Sequence, residues 1–104
     1  MREIDIHQFA AACADGAEVI DVREPGEYVA GHVPGARLVP MGQLPSRLSE
    51  LDRSRTVYLI CASGNRSKSM ASLLAQQGFD AVTVAGGTGA WVRSGRTVTT
   101  GAQA

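Results

Sequence analysis

A cysteine lies where a short apolar segment meets a small, flexible loop, and a helix-forming segment follows. Cys61 ends the apolar run of residues 56–60, and residues 62–65 are Ala, Ser, Gly and Asn. A thiol in the first position of such a loop faces backbone N–H groups and the positive end of a helix dipole, which favour the thiolate. The spacing predicts a reactive thiol. The alternative is a small buried hydrophobe that ends a core strand.

Two cations follow this loop in the first turn of the expected helix. Arg66 and Lys68 lie there, where each positive charge opposes the helix dipole by roughly 0.3–1 kcal/mol. We therefore expect a bound anion nearby, held by the N–H groups that begin at Ala62. Asn65 and Ser67 are expected to cap the start of the helix.

Segments with strand character alternate with helical segments, and short loops connect them. The expected strands are residues 19–22, 37–39, 57–60 and 81–84. The expected helices are residues 6–14, a short helix that Pro25 opens and Gly31 ends, a helix ending at Gly78 and a short one holding Trp91. Leucines at 44, 48 and 51 also recur at helical spacing. The pattern predicts an α/β fold, with a parallel central sheet of about five short strands and helices on both faces. Ligands gather at the carboxyl ends of such strands, where Cys61 lies. We expect one domain over residues 1–96 and a frayed tail over residues 97–104.

Composition limits the classes of partner. Ten Lys and Arg balance ten Asp and Glu, so nothing favours nucleic acid or an anionic membrane. There is no apolar run of membrane-spanning length and no signal-like first segment. Two distant cysteines, Cys13 and Cys61, do not indicate a disulfide framework, and with two histidines they match no zinc or iron–sulfur spacing. We expect a cytoplasmic monomer without a metal or cofactor.

Four ordered motifs extend over nearly the whole chain. They are Asp-Val-Arg at residues 21–23, Gly-His-Val-Pro-Gly-Ala at 31–36, the Cys-to-Arg loop at 61–66, and Gly86-Gly87 followed by Trp91. Together they resemble the motifs of the single-domain rhodanese-like sulfurtransferase family.

The resemblance implies a two-step sulfur transfer through Cys61. The thiolate would take the sulfane sulfur of a small anionic donor, thiosulfate or a persulfide, and pass it to a thiol or to cyanide. The acceptor or donor could be a protein thiol or persulfide. The residues implied in the persulfide cradle are Ala62, Ser63, Gly64, Asn65, Arg66 and Ser67. Arg23 and Lys68 are candidates for the pocket rim.

Loop length and loop composition bear on the reaction. Four residues separate Cys61 from Arg66, whereas the related cysteine phosphatases have one residue more, so the resemblance favours sulfur transfer over phosphate hydrolysis or arsenate reduction. Many relatives that use thiosulfate carry a basic residue where this chain has Ala62, which makes a persulfide an equal candidate for the donor. Non-catalytic binding modules of the same fold usually lack the cysteine, and that class remains the second hypothesis.

Three other residues have a structural and a functional interpretation. His32 could act as a base for Cys61, but its place in a Pro-Gly turn favours a structural role. Arg23, two residues after a strand-end aspartate, is expected to tie neighbouring loops together. Cys13 lies on the apolar face of the first helix and is predicted to be core; the alternative is a thiol that resolves the Cys61 persulfide.

Overall fold

Strands and helices alternate along the chain in the computed structural model, which describes residues 1–104. The elements are β1 (Arg2–Ile4), α1 (Ile6–Ala14), β2 (Glu18–Asp21), α2 (Pro25–Ala30), β3 (Arg37–Leu38), β4 (Val57–Ile60), α3 (Asn65–Gln76), β5 (Ala81–Val84) and α4 (Gly87–Arg93). Local sequence signals explain several boundaries. Asp5 and Gln8 form a reciprocal capping box at the start of α1, and Pro25 opens α2.

All five strands form one parallel sheet in the order β1-β5-β4-β2-β3. Each neighbouring pair is parallel, so the predicted α/β fold is confirmed. β4 lies at the centre of the sheet, between β5 and β2. Its carboxyl end therefore lies in the middle of the sheet edge at which parallel α/β folds bind ligands.

Alternate side chains of the central strand β4 enter separate cores on the two faces of the sheet. Leu59 packs with Leu74 of α3 on one face. Its neighbour Ile60 packs on the other face with Phe9 of α1 and Trp91 of α4. The rings of Phe9 and Trp91 meet edge to face, with centroids 5.8 Å apart, a favourable aromatic arrangement. Helices thus cover both faces, and Trp91 anchors α4 in the second core.

Two segments differ from the sequence-based expectation. The first strand, β1, was not predicted, because Arg2 and Glu3 hide any apolar alternation; it adds to the sheet edge beside β5. Between β3 and β4, leucines at helical spacing form two short 3-10 helices, Leu44–Ser46 and Leu48–Glu50.

The C-terminal segment, residues 97–104, for which the sequence predicts fraying, contacts the rest of the fold. His32 and Thr99 exchange two backbone hydrogen bonds of 2.9 and 2.8 Å, and the N–H of Gly101 donates to Val29 O at 2.9 Å. Val98 packs against the second core. The segment has few apolar side chains, and backbone pairing to residues far away in the sequence holds it instead.

The buried side chain of His32 contacts this C-terminal segment. The ring is completely buried and stacks on Tyr28 with centroids 3.6 Å apart. Its Nδ1 lies 2.8 Å from Tyr28 O, and its Nε2 lies 2.7 Å from Gln103 O. Both ring nitrogens are thus engaged with backbone, which supports the structural interpretation of His32.

We predict that His32→Ala lowers the free energy of unfolding by about 2–4 kcal/mol, because it removes the buried ring with its hydrogen bonding to Tyr28 O and Gln103 O and opens a cavity. Urea unfolding measures the loss, and amide exchange at Thr99 and Gly101 reports release of the tail. His7→Ala, at an exposed position of α1, is the matched control and should change stability by less than about 0.5 kcal/mol. Unchanged protection of these amides in His32→Ala would contradict the view that the His32 side chain holds the C-terminal segment in place.

Candidate active site

The loop after β4 carries a buried thiol at the centre of the sheet edge. Cys61 follows β4 directly and is only 1% exposed. Gly64 has φ +107°, a conformation that suits glycine, and this turn leads into α3 at Asn65. A Cβ built on Gly64 would lie 3.3 Å from Val84 O, so the loop also passes close to β5.

The sulfur of Cys61 is surrounded by hydrogen-bond donors. The N–H of Gly64 donates to Sγ at 3.1 Å and the N–H of Ser67 at 3.4 Å. The protonated thiol donates to Ser67 Oγ at 3.5 Å, and once the thiol is ionised the Ser67 hydroxyl can donate to the sulfur instead. Burial alone would raise the pKa of the thiol. The hydroxyl of Ser67 and the N–H groups of Ser67, Gly64 and Ser63 outweigh it, so the pKa of Cys61 lies below its ordinary value.

The first turn of α3 has no side-chain cap, in contrast to the prediction for Asn65 and Ser67. Gly64 occupies the cap position, and no side chain accepts a hydrogen bond there. The unpaired N–H groups that begin every helix turn toward the sulfur instead, as Gly64 and Ser67 show. The sulfur of Cys61 therefore takes the place of a helix cap.

The last helix holds the other side of the loop. The N–H groups of Thr88 and Gly89 donate to the carbonyl oxygens of Cys61 and Ala62, at 2.8 and 3.0 Å. Gly87 permits this approach: a Cβ there would lie 2.3 Å from Cys61 O, which is closer than any real contact. The sequence indicated the Gly86-Gly87 motif, but not that the backbone N–H groups directly after it bind the loop.

Arg66 is paired with an acidic residue from α2. Its Nη1 and Nη2 donate to the two carboxylate oxygens of Glu27 at 2.7 and 2.8 Å. The bidentate contact raises the pKa of Arg66 and lowers the pKa of Glu27 to about 2. An ionised Cys61 also favours the charged form of Arg66, raising its pKa less than Glu27 does.

The remaining predicted site residues are only partly brought together. Ser63 and Asn65 are exposed on the outside of the loop. Lys68 turns away, with Nζ 3.5 Å from a carboxylate oxygen of Glu3 on β1. Arg23 lies in a cleft beside Ala62.

Arg23 also connects two loops. Its Nη2 donates to Asp21 Oδ2 and to Gly31 O, both at 2.9 Å. This buried pair ties the end of β2 to the turn after α2. Cys13 is half-buried and packs with the core on the face of the sheet opposite to that of Cys61, which fits its predicted core role.

Thr83 makes a polar contact near the thiol that the sequence pattern did not indicate. Its hydroxyl lies 2.7 Å from Ser67 Oγ, and both residues are fully buried. The Ser67 hydroxyl can donate to Gly64 O, 3.2 Å away. When Thr83 donates to Ser67 and Cys61 is ionised, the Ser67 hydrogen can turn to the sulfur instead, and each hydrogen bond strengthens the next. The available signal was a single hydroxyl in an otherwise apolar strand, because a buried hydroxyl needs a partner.

No group of His, Cys, Asp or Glu residues is arranged to hold a metal ion. Separately, none of the four helices has the length and apolar character needed to cross a membrane.

Comparison with known proteins identifies the family. The chain matches the Rhodanese-like domain over residues 5–94, and it therefore belongs to the rhodanese-like family, as the motifs predicted. A sulfurtransferase from Allochromatium vinosum is 38% identical over 98 residues, which cover 91% of this chain and 92% of that protein.

Solved structures show the same relationship. The rhodanese-related protein from Thermoplasma volcanium has a TM-score of 0.89 and 31% identity, covering 95% of this chain and 98% of that one. A rhodanese-like domain protein from Staphylococcus aureus has a TM-score of 0.82 and 32% identity, covering 88% and 91%.

We predict that Thr83→Val raises the pKa of Cys61, because the ionised sulfur loses the support that Thr83 gives to Ser67. Ser67→Ala should raise this pKa further, since it removes the direct hydroxyl donor. The ultraviolet absorbance of the thiolate, followed against pH in a Cys13→Ser background, measures both shifts. Thr100→Val, at an exposed threonine, is the control. An unchanged Cys61 pKa in Thr83→Val would refute the proposed effect of Thr83 on the sulfur through Ser67.

We also predict a pH-dependent contribution from the Arg66–Glu27 pair. The pKa of Glu27 is lowered from 4.5 to about 2, so its stabilising effect is complete above pH 4.5 and is lost as the pH falls toward 2. Both side chains are 36% exposed, so Glu27→Gln should cost only about 0.5–1 kcal/mol at neutral pH. Urea unfolding at a series of pH values should show this difference closing within that window. A difference that stays constant would argue against the pair.

Proposed function

We propose that this chain is a single-domain sulfurtransferase that carries a sulfane sulfur as a persulfide on Cys61. The observation that supports it best is the environment of this thiol. The buried sulfur accepts hydrogen bonds from the N–H groups of Gly64 and Ser67, and the pKa of Cys61 is lowered in spite of burial. A lowered pKa supplies the thiolate, which is the nucleophile. The relatives described above point to the same class of reaction.

In the first step, the Cys61 thiolate attacks the outer sulfur of the donor. For thiosulfate, a new S–S bond forms to Cys61, the bond between the two thiosulfate sulfurs breaks, and its electron pair leaves with sulfite. For a persulfide donor, the leaving group is the donor's thiolate. Cys61 then holds one extra sulfur, which carries the negative charge.

In the second step, the thiolate of an acceptor attacks this terminal sulfur. The bond to Cys61 breaks, its electron pair restores the Cys61 thiolate, and the acceptor leaves as a persulfide; cyanide would leave as thiocyanate. N–H groups of the cradle from Ala62 to Ser67 stabilise the persulfide anion, as preorganised donors do in other anion holes. Arg66 attracts the anionic donor, although Glu27 offsets part of its charge.

Both cysteines are free, a state that suits a reducing compartment. We therefore propose that the protein works in the cytoplasm.

The persulfide can be weighed directly. We predict that reduced protein mixed with thiosulfate, or with a small-molecule persulfide, gains one sulfur atom, about 32 Da, which cyanide then removes. Cys61→Ser should gain nothing, whereas Cys13→Ser should load like the wild type. Loading by the persulfide alone would identify a carrier that rejects thiosulfate.

Two results would overturn the proposal. Failure of the folded wild type to load from either donor would favour a binding module. Turnover of an aryl phosphate that depends on Cys61 would favour the phosphatase alternative.

A further inference from the structure

A cleft begins at Ala62, the residue after Cys61, and runs between α2 and α4. Its volume is about 490 Å³, which is typical of sites for organic molecules and far more than thiosulfate fills. Aliphatic side chains of Ala30, Val92 and Val98 form much of its wall. The cleft therefore has room for a ligand with a carbon skeleton.

The charges that line the cleft leave one cation uncompensated. Arg23 is paired with Asp21, and Glu27 is paired with Arg66. Arg93, the third charged residue of the lining, has no ion pair and no side-chain hydrogen bond. A ligand that complements this cleft therefore carries a negative charge.

A buried hydroxyl in the same lining also lacks a partner. Thr88 is 6% exposed, and its Oγ1 makes no hydrogen bond in the structure. The oxygen itself is shielded from the cleft, so a ligand reaches it only after the Thr88 side chain turns. An unpaired buried hydroxyl costs about 1–3 kcal/mol, which such a contact would recover. With that rotation, Thr88 supplies a second polar contact, independent of Arg93.

Arg93 folds back toward the loop of Cys61. A Cβ built on Gly89 would lie 3.0 Å from Arg93 Nη1 and 3.3 Å from Ala62 O. The guanidinium is therefore a neighbour of Ala62, the position at which many thiosulfate-using relatives carry a basic residue. In this chain, a cation reaches the same neighbourhood from α4.

We propose that this cleft binds the sulfur acceptor, and that the acceptor is a small organic thiol bearing a carboxylate. The carboxylate pairs with Arg93, a polar atom of the ligand satisfies Thr88, and the carbon chain lies against Val92 and Val98. The thiol end then lies at Ala62, where its thiolate can attack the terminal sulfur on Cys61. The inference rests on the proposed function for its chemistry, but the binding can be tested without it.

Discharge of the loaded protein tests the choice of acceptor. Cys61 persulfide is formed first and verified by mass, and its loss is then timed with 3-mercaptopropionate or with neutral 2-mercaptoethanol. Arg93→Gln should slow discharge by 3-mercaptopropionate about tenfold, the effect of one charge-assisted hydrogen bond, and should change discharge by 2-mercaptoethanol less than about twofold. Comparing each thiol with itself across variants removes differences in intrinsic reactivity.

Two further variants separate the cleft from general charge effects. Val92→Glu places a carboxylate on a side chain that is 54% exposed, so folding is preserved and the anionic thiol alone should be slowed. Arg96→Gln removes the same charge outside the cleft lining and should leave the ratio of the two thiols unchanged. Equal effects of Arg93→Gln on both thiols, or no effect on either, would overturn the inference; the latter would be expected of a protein acceptor.

Binding of an unreactive analogue distinguishes failure of this inference from failure of the proposed function. 3-(Methylthio)propionate has the carboxylate but no free thiol, and it should shift the amide signals of Ala62 and Thr88 in the wild type but not in Arg93→Gln. Such binding in a protein that never loads sulfur would reject the transfer reaction and keep the carboxylate site. Loading without Arg93-dependent binding would reject the site alone.

Discussion

Two backbone hydrogen bonds from α4 decide which way the loop after Cys61 faces. The N–H groups of Thr88 and Gly89 hold the carbonyl oxygens of Cys61 and Ala62. A trans peptide carries its C=O and its N–H on opposite sides. Turning these two carbonyls toward α4 therefore turns the N–H groups of Ala62 and Ser63 away from it. The peptide orientation that suits an anion is thus imposed from outside the loop.

This constraint links parts of the chain that are far apart in sequence. Gly87 has to lack a side chain, because a Cβ there would overlap Cys61 O and Ala62 O. On the opposite side, the start of α3 gives the sulfur the N–H groups that would otherwise need a cap. The thiol therefore lies between two helix starts, one of which holds the loop while the other holds the sulfur.

The parts of the site that depend on neighbouring residues were predictable from the sequence. The strand, the loop and the helix around Cys61 follow from an apolar run, small residues and helix formers in succession. The alternation of strands and helices correctly indicated the parallel sheet, and the motif resemblance correctly indicated the family. Arg66 was implied as part of the persulfide cradle, but its pairing with Glu27 was not, because that pairing depends on how α2 packs against the loop.

Contacts between distant or featureless segments were not predictable. The hydroxyl of Thr83 meets Ser67 only because β5 lies beside β4. The strand β1 begins with two charged residues and lies at a sheet edge, where no alternation of apolar side chains is required. The tail pairs with His32 through backbone groups, and backbone pairing leaves almost no trace in the side-chain pattern.

The C-terminal segment, residues 97–104, forms one wall of the cleft beside Ala62, and contacts outside the sheet hold it in place. Val98 lines the cleft, and the segment that carries it is held by the pairing of Thr99 with His32 and by the contact of Gln103 with the His32 ring. None of these contacts belongs to the five-stranded sheet. Local unfolding of such a segment needs less free energy than global unfolding. The cleft can therefore widen and close again while the sheet, and the loop that holds Cys61, stay folded.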